Sequence, residues 1–368
     1  MMHVDSAESA GSRLGAVLSA PRTGVVRLSP AGPWLVTTHA DARRVLTEPH
    51  LFDFPGDVTR SGDLSGSTGE SRSGHTVFAP LAPDQVARGV LTFERELATA
   101  LDTHDRTRPA EPYDAMVLLR QPVARSTTAA VLGQLDEARR DRVAALVLDW
   151  IDALAPVISA RRPPGRWRRT RRTEKAARYA LEDELAPLIG PEDTPAQVAT
   201  LLAAGIQVPI AAGAWLLAWL GQHETGDLDP TYAVWETLRL TPPTWITARL
   251  TTEEVELTGA RVPAGRVVLV SPLLLGRSDD LVPGDDHDRG TFDPDRWQDG
   301  LQRPGAWLPF GAGPHACPGR TLGTAQLVHL ARWGVDRTIA LSENVSIDQS
   351  RGILPSPCRF TASRREIP

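Results

Sequence analysis

The chain has 368 residues and a formal net charge of −5, which excludes the basic signature of a nucleic-acid binder. Its only cysteines, Cys317 and Cys358, exclude a disulfide framework and fit a reducing cytoplasm. No internal repeat or clear linker divides the sequence, so one large domain over residues 1–368 is expected.

Residues 1–14 are small and acidic without an apolar core, and are expected to be neither a signal peptide nor a membrane anchor. Weak alternation around Pro30, Gly32 and Pro33 predicts a hairpin with strands at 25–28 and 34–37. A short helix is expected at 41–46. Residues 60–74, rich in Gly and Ser with Leu64 as the single large apolar side chain, read as a mobile loop. Helical periodicity follows at 84–101, 115–132, 135–158 and 172–189. Seven arginines crowd residues 161–172 around Trp167. One short basic run does not make a groove, so it is read as a solvated loop and helix face.

Residues 201–220 contain one clearly polar side chain, Gln207, and on length alone could span a bilayer. The flanks, Pro191-Glu192-Asp193 and Gln222-His223-Glu224, offer no nearby Lys or Arg, and Pro209 interrupts the run. A helix buried on all sides in the protein centre is expected, and no membrane. A further helix is predicted at Pro230–Leu240 with Asp229 as its cap. At 254–271 the period changes. Val255 and Leu257 alternate with acids, Gly259 and Pro263-Ala264-Gly265 mark turns, and 267–270 is apolar throughout, which predicts a small sheet. The fold class is therefore mainly α with a small β region.

The densest chemistry lies in Phe310-Gly311-Ala312-Gly313-Pro314-His315-Ala316-Cys317-Pro318-Gly319. A helical pattern follows at once, with Gly323, Leu327, Leu330, Ala331 and Gly334 on one face. A thiol at the start of that helix meets backbone N–H groups and the helix dipole, which favour its thiolate. The glycines admit a large flat ligand close to the backbone, and Phe310 can cover the sulfur. Such a loop suits the axial thiolate of a haem iron; the bland alternative is a surface turn with a structural cysteine.

This segment resembles the cysteine loop of the cytochrome P-450 family. The family's pattern is Phe, two residues, Gly, three residues, Cys, one residue, Gly, and Phe310, Gly313, Cys317 and Gly319 fill it. His315 stands where the family has a basic residue bonding a haem propionate. Upstream, Glu236 and Arg239 lie three apart on one helix face. Their run into Thr241-Pro242-Pro243 is similar to the family's Glu-x-x-Arg helix and its exit. The run Phe292-Asp293-Pro294-Asp295-Arg296-Trp297 resembles the segment supplying the third member of that ionic cluster. The resemblance implies a buried triad of Glu236, Arg239 and Arg296 bracing the cysteine loop, and Arg249 as a propionate ligand. It covers about residues 201–360 well and is looser before that; His75 is a candidate for a further propionate contact.

The resemblance implies haem b held between a long central helix and the cysteine loop. It departs from the family where the central helix passes the iron. The family commonly has Ala-Gly-x-(Asp/Glu)-Thr, whose acid and alcohol relay protons during oxygen activation. Here the run is Ala204-Gly205-Ile206-Gln207-Val208, then Pro209. Gly205, Gln207 and Val208 occupy the catalytic positions without an acid or a hydroxyl. Substrate contacts are expected from Ala203, Ile206, Gln207, Thr244, Trp245, Ile246, Thr247, Gly352, Ile353 and Leu354, lining an apolar pocket for a medium-sized organic molecule.

The resemblance thus implies a soluble, cytoplasmic haem-thiolate monooxygenase tailoring a small secondary metabolite by hydroxylation, epoxidation or oxidative coupling, with atypical proton delivery. Separate ferredoxin and ferredoxin reductase partners are implied, with Arg320, Arg332 and Arg337 as candidate docking cations. The alternatives are a peroxide-driven peroxygenase and a haem-binding protein without turnover.

Overall fold

The structure, a computed structural model, describes residues 2–55, 77–133, 135–160, 164–165, 167–223, 228–284, 289–350 and 352–365. The expected loop at 60–74 and the candidate His75 lie outside these residues. The described helices are α1 (Ser12–Leu18), α2 (His39–Thr47), α3 (Pro83–Thr107), α4 (Ala115–Leu132), α5 (Glu137–Ile158), α6 (Arg169–Leu185), α7 (Pro195–Gln222), α8 (Pro230–Leu240), α9 (Pro272–Leu275) and α10 (Arg320–Val335). The strands are β1 (Val25–Arg27), β2 (Trp34–Val36), β3 (Phe52–Asp53), β4 (Tyr113–Asp114), β5 (Thr247–Thr251), β6 (Val255–Leu257), β7 (Ala260–Val262), β8 (Val267–Val270), β9 (Arg337–Leu341), β10 (Ser346–Asp348), β11 (Leu354–Ser356) and β12 (Arg359–Arg364).

Local chemistry fixes the two helices that matter most. α7 opens with a reciprocal cap: Gln197 N–H donates to Thr194 Oγ1 at 3.3 Å, and Thr194 N–H donates to Gln197 Oε1 at 3.0 Å. Pro195 follows at the first helical position, where it forfeits no bond. α7 then runs for 28 residues, about 42 Å. From Ile210 to Leu220 every side chain is buried, against α4, α5, α6, α8 and α10. α7 is the one described helix long and apolar enough to cross a membrane, and 61% of its most apolar stretch is buried inside the protein. α8 starts at Asp229, whose carboxylate accepts Thr231 N–H at 2.6 Å and Tyr232 N–H at 3.3 Å.

The main sheet has strand order β1-β2-β8-β5-β3. β2 lies parallel to β8, with Trp34 opposite Val268 and Val36 opposite Val270, while the other pairs are antiparallel. This pairing carries the early hairpin across to the strand that bears Arg249. The smaller sheets are β4-β12-β9, β6-β7 and β10-β11. The first residues are strapped to distant chain. Val4 bridges Val345, Asp5 N–H donates to Val345 C=O at 2.8 Å, and Glu8 accepts from Arg277 Nε at 2.8 Å.

Candidate haem and active site

Cys317 sits two residues before the cap of α10, with its side chain exposed. Its N–H donates to Phe310 C=O at 2.9 Å, closing the loop on itself. Two residues in this loop must be glycine. Gly311 has φ +69° and Gly313 φ +70°, and a Cβ on Gly313 would lie 2.6 Å from Leu46 C=O at the end of α2. A further bond, Leu81 N–H to Pro318 C=O at 3.1 Å, ties the loop to the start of α3. Solvent reaches the sulfur, yet protein crowds it from below. That desolvation pushes the thiol up from its ordinary value, and the Gly319 N–H and Arg320 pull it down without cancelling the rise. Cys358 differs in kind: it is fully buried, its Sγ lies 3.5 Å from Ala214 C=O, and burial pushes it up to about 12.

Behind the loop stands a buried ionic brace. Glu236 accepts from Arg239 through both oxygens, from Arg296 Nε at 2.9 Å, from Asp293 N–H at 3.1 Å and from Trp297 Nε1 at 3.1 Å. Arg239 donates onward to the carbonyls of Gly276, Arg289 and Thr291. Burial by itself would raise the Glu236 carboxyl, but Arg239 and then Arg296 hold it below its ordinary range. Aromatic rings carry the brace to the cysteine loop. Trp297 stacks on Trp307 at 5.2 Å, Trp307 meets Trp235 edge-on at 6.0 Å, and Trp235 meets Phe310 at 6.2 Å. Arg277 went unforeseen. It is buried and donates to the carbonyls of Arg239 and Leu240, capping the C-terminal end of α8.

Arg249 and His315 converge on Phe54. The Arg249 guanidinium carbon lies 3.8 Å from the Phe54 ring centre, and His315 meets the same ring edge-on at 4.7 Å. Phe54 gave no sequence signal. Arg249 is 5% exposed and donates to Thr247 Oγ1 and Ala248 C=O. Desolvation pulls it down to about 10, with the Asp53 charge acting the other way. A buried guanidinium pushed so far down is a seat for an anion.

α7 meets α10 where a Cβ on Gly323 would lie 3.9 Å from Pro209 Cγ. Cys317 lies six residues before Gly323, and Val208 one before Pro209. The accessible thiol and the accessible stripe of α7 therefore flank the same junction. That stripe comprises the exposed Ala204 and Val208, the latter at 37%, with the half-buried Gly205 between them. Gln207 is half-buried, about 100° round the helix from Val208. Ala203 and Ile206, expected to touch substrate, are 9% and 0% exposed on the opposite side. Trp245 and Ile353 are likewise core residues at 7% and 0%. The Trp245 carbonyl accepts Ser271 Oγ and the Ile353 carbonyl accepts Trp215 Nε1. Leu354 is buried as well, whereas Thr244 is exposed and Ile246 and Thr247 are half-buried. Gly352 packs against the Pro-Pro exit, where its Cβ would lie 3.5 Å from Pro243 C=O.

These residues fit a haem. The exposed thiol, the cation stripped of water and a Gly319 with nothing within 4 Å of its Cβ position suit an axially ligated, flat, dianionic ring. Of the candidate docking cations, Arg320 is exposed beside the loop and Arg332 is exposed in the last turn of α10. Arg337 stacks on Trp333 at 4.6 Å, roughly 25 Å along the helix from Cys317.

Residues 231–331 match the family model described as cytochrome P450. The chain is 34% identical over 174 residues to cyclooctatin synthase of Streptomyces melanosporofaciens, covering 40% of this chain and 37% of that protein. It is 28% identical over 362 residues to cyclooctat-9-en-7-ol 5-monooxygenase of the same organism, covering 81% and 78%. The chain thus matches well under two thirds of the first relative's length and more than two thirds of the second's. Among solved structures, one of the unusual cytochrome P450-like monooxygenases involved in microbial secondary metabolism superposes with a TM-score of 0.71 at 17% identity, covering 95% of this chain and 98% of that one.

Proposed function

The chain belongs to the cytochrome P450 family, and from that premise we propose that it is a monooxygenase tailoring a small apolar secondary metabolite. Haem b is the cofactor that this family and this fold imply. When bound, it supplies the reductive activation of dioxygen. Cys317 would ligate its iron, and Phe310, Gly311 and Gly319 shape the loop around that sulfur. Arg249 and His315, which converge on Phe54, would hold its propionates. Glu236, Arg239 and Arg296 fix the loop's position rather than take part in chemistry.

One observation carries the reading: the exposed Cys317 and the accessible stripe of α7 at Ala204, Gly205 and Val208 flank the junction where Gly323 of α10 approaches Pro209. Ala204, Gly205 and Val208 leave room for a substrate, with Ile246, Thr247 and Thr244 as its further contacts. Gln207 cannot give up a proton as an acid does, and Val208 has no hydroxyl. Protons then reach the reaction through a substrate hydroxyl and ordered water. The name of the second relative places a cyclic alcohol on that enzyme, and a molecule of this kind brings such a hydroxyl. Electrons come from a ferredoxin and its reductase, with Arg320 the cation best placed to meet the former.

The test is a titration of the haem-loaded protein with cyclooctat-9-en-7-ol and related cyclic alcohols, reading displacement of the Soret band. Turnover follows with ferredoxin, reductase and NADPH, and separately with hydrogen peroxide. A Soret shift and NADPH-dependent oxygenated product are expected. Turnover with peroxide alone would instead establish a peroxygenase, which the missing acid and alcohol favour as the second reading. A Soret shift with no product under either supply would leave a haem-binding protein.

A further inference from the structure

Pro209 has no N–H, so the carbonyl four residues before it, that of Gly205, has no partner within α7. The structure provides one from another helix. Thr127 Oγ1, on α4, donates to Gly205 C=O at 3.1 Å, and Thr127 is 3% exposed. Its methyl group is the one atom that a Cβ on Gly205 would meet, at 3.0 Å. A hydroxyl therefore reaches the opened stretch of α7 from outside, beside a position 208 that has lost its own. The surroundings are polar. Ser126 Oγ donates to Gly89 C=O at 2.7 Å and accepts Gln326 Nε2 at 2.8 Å. Thr128 Oγ1 on α4 and Gln326 Oε1 on α10 are likewise buried, without a partner among the described residues.

We infer that Thr127 is the positioning residue for proton delivery, its hydroxyl holding the Gly205 carbonyl and anchoring an ordered water on the accessible stripe of α7. The inference rests on the monooxygenase reading above. A hydroxyl that gives its single hydrogen to a carbonyl keeps two lone pairs. A water donating to one of them has its other O–H free to face the space over Ala204 and Val208. Thr127 itself gains and loses nothing; the proton comes from solvent through that water. Seen from sequence, position 127 is one more threonine in a helix, and only the packing of α4 on α7 assigns it.

The experiment compares haem-loaded wild type with Thr127→Val, Thr127→Ser and the double variant Thr127→Val/Pro209→Ala. Two quantities are read: the C–O stretch of the reduced carbon-monoxide complex, which senses polar groups near the ligand without turnover, and product formed per NADPH. Thr127→Val should shift the stretch and lower product per NADPH severalfold, with hydrogen peroxide released in its place. Thr127→Ser should restore both. In the double variant the backbone N–H regained at position 209 gives Gly205 C=O its helical partner back, so the fold no longer needs Thr127. If the stretch stays shifted and the yield stays low there, the hydroxyl serves the reaction. If the double variant, or Thr127→Val itself, matches wild type in both readouts, Thr127 only caps a carbonyl and the inference falls. Absence of product from wild type would sink the monooxygenase reading instead, and the C–O stretch would still decide the place of Thr127.

Discussion

Replacing Glu236 by glutamine tests the brace behind the cysteine loop. The carboxylate is fully buried and takes hydrogen bonds from Arg239, Arg296, Asp293 and Trp297. An amide of the same shape offers one acceptor oxygen, and its N–H₂ would face arginine donors. Arg239 and Arg296 would keep their charges with no counter-charge, at a cost of about 3–5 kcal/mol. That is a large share of the roughly 5–15 kcal/mol that holds a typical domain together. Glu236→Gln should therefore give little soluble haem protein and a markedly lower urea midpoint. The pH dependence has a definite sign. The Glu236 carboxyl is held below its ordinary 4.5 in the folded chain, so its contribution is fully present above pH 4.5 and lost as pH falls through the lower folded value. The variant should lack that part of the acid limb. Wild-type yield, haem content and urea midpoint would refute the brace.

The remaining predictions concern the site itself. Cys317→Ser should lose the red-shifted Soret band of the thiolate-ligated carbon-monoxide complex, while Cys358→Ser should keep it; the reverse pattern would overturn the ligand assignment. Arg249→Leu should weaken haem retention against apomyoglobin while raising the urea midpoint of the haem-free chain. Desolvation pulls Arg249 from its ordinary value down to about 10, a penalty on the order of 3 kcal/mol before its hydrogen bonds are set against it. That penalty is present at neutral pH and relieved only as pH climbs through the window between those values. Val208→Thr should fold normally, since the side chain is accessible and its shape is kept, and should raise product per NADPH; abolished activity would contradict an open relay.

Sequence reasoning succeeded where the signal was local. α4 and α8 begin and end where periodicity and the Asp229 cap put them. α1 escaped because seven residues without a side-chain cap leave little pattern. The parallel pairing of β2 with β8 joins segments more than 200 residues apart, which no local signal encodes. The burial of Ala203 and Ile206 was not legible for a related reason. A helix apolar all round has no polar face from which to read its rotation, so the accessible stripe at Ala204, Gly205 and Val208 emerges only from packing. Arg277 and Phe54 each stand alone in sequence and acquire meaning from what folds against them.

The strap between the first residues and the far chain sets a clock. Val4 closes on Val345 and His3 N–H on Asn344, 341 residues apart. At about 5–20 residues per second, a nascent chain needs roughly 20–70 s to present those partners. Until then the segment around Val4 is without its native neighbours, while Glu8 meets Arg277, 269 residues on, earlier in the same interval. The cysteine loop is made late in the same interval, shortly before the residues on which the strap closes.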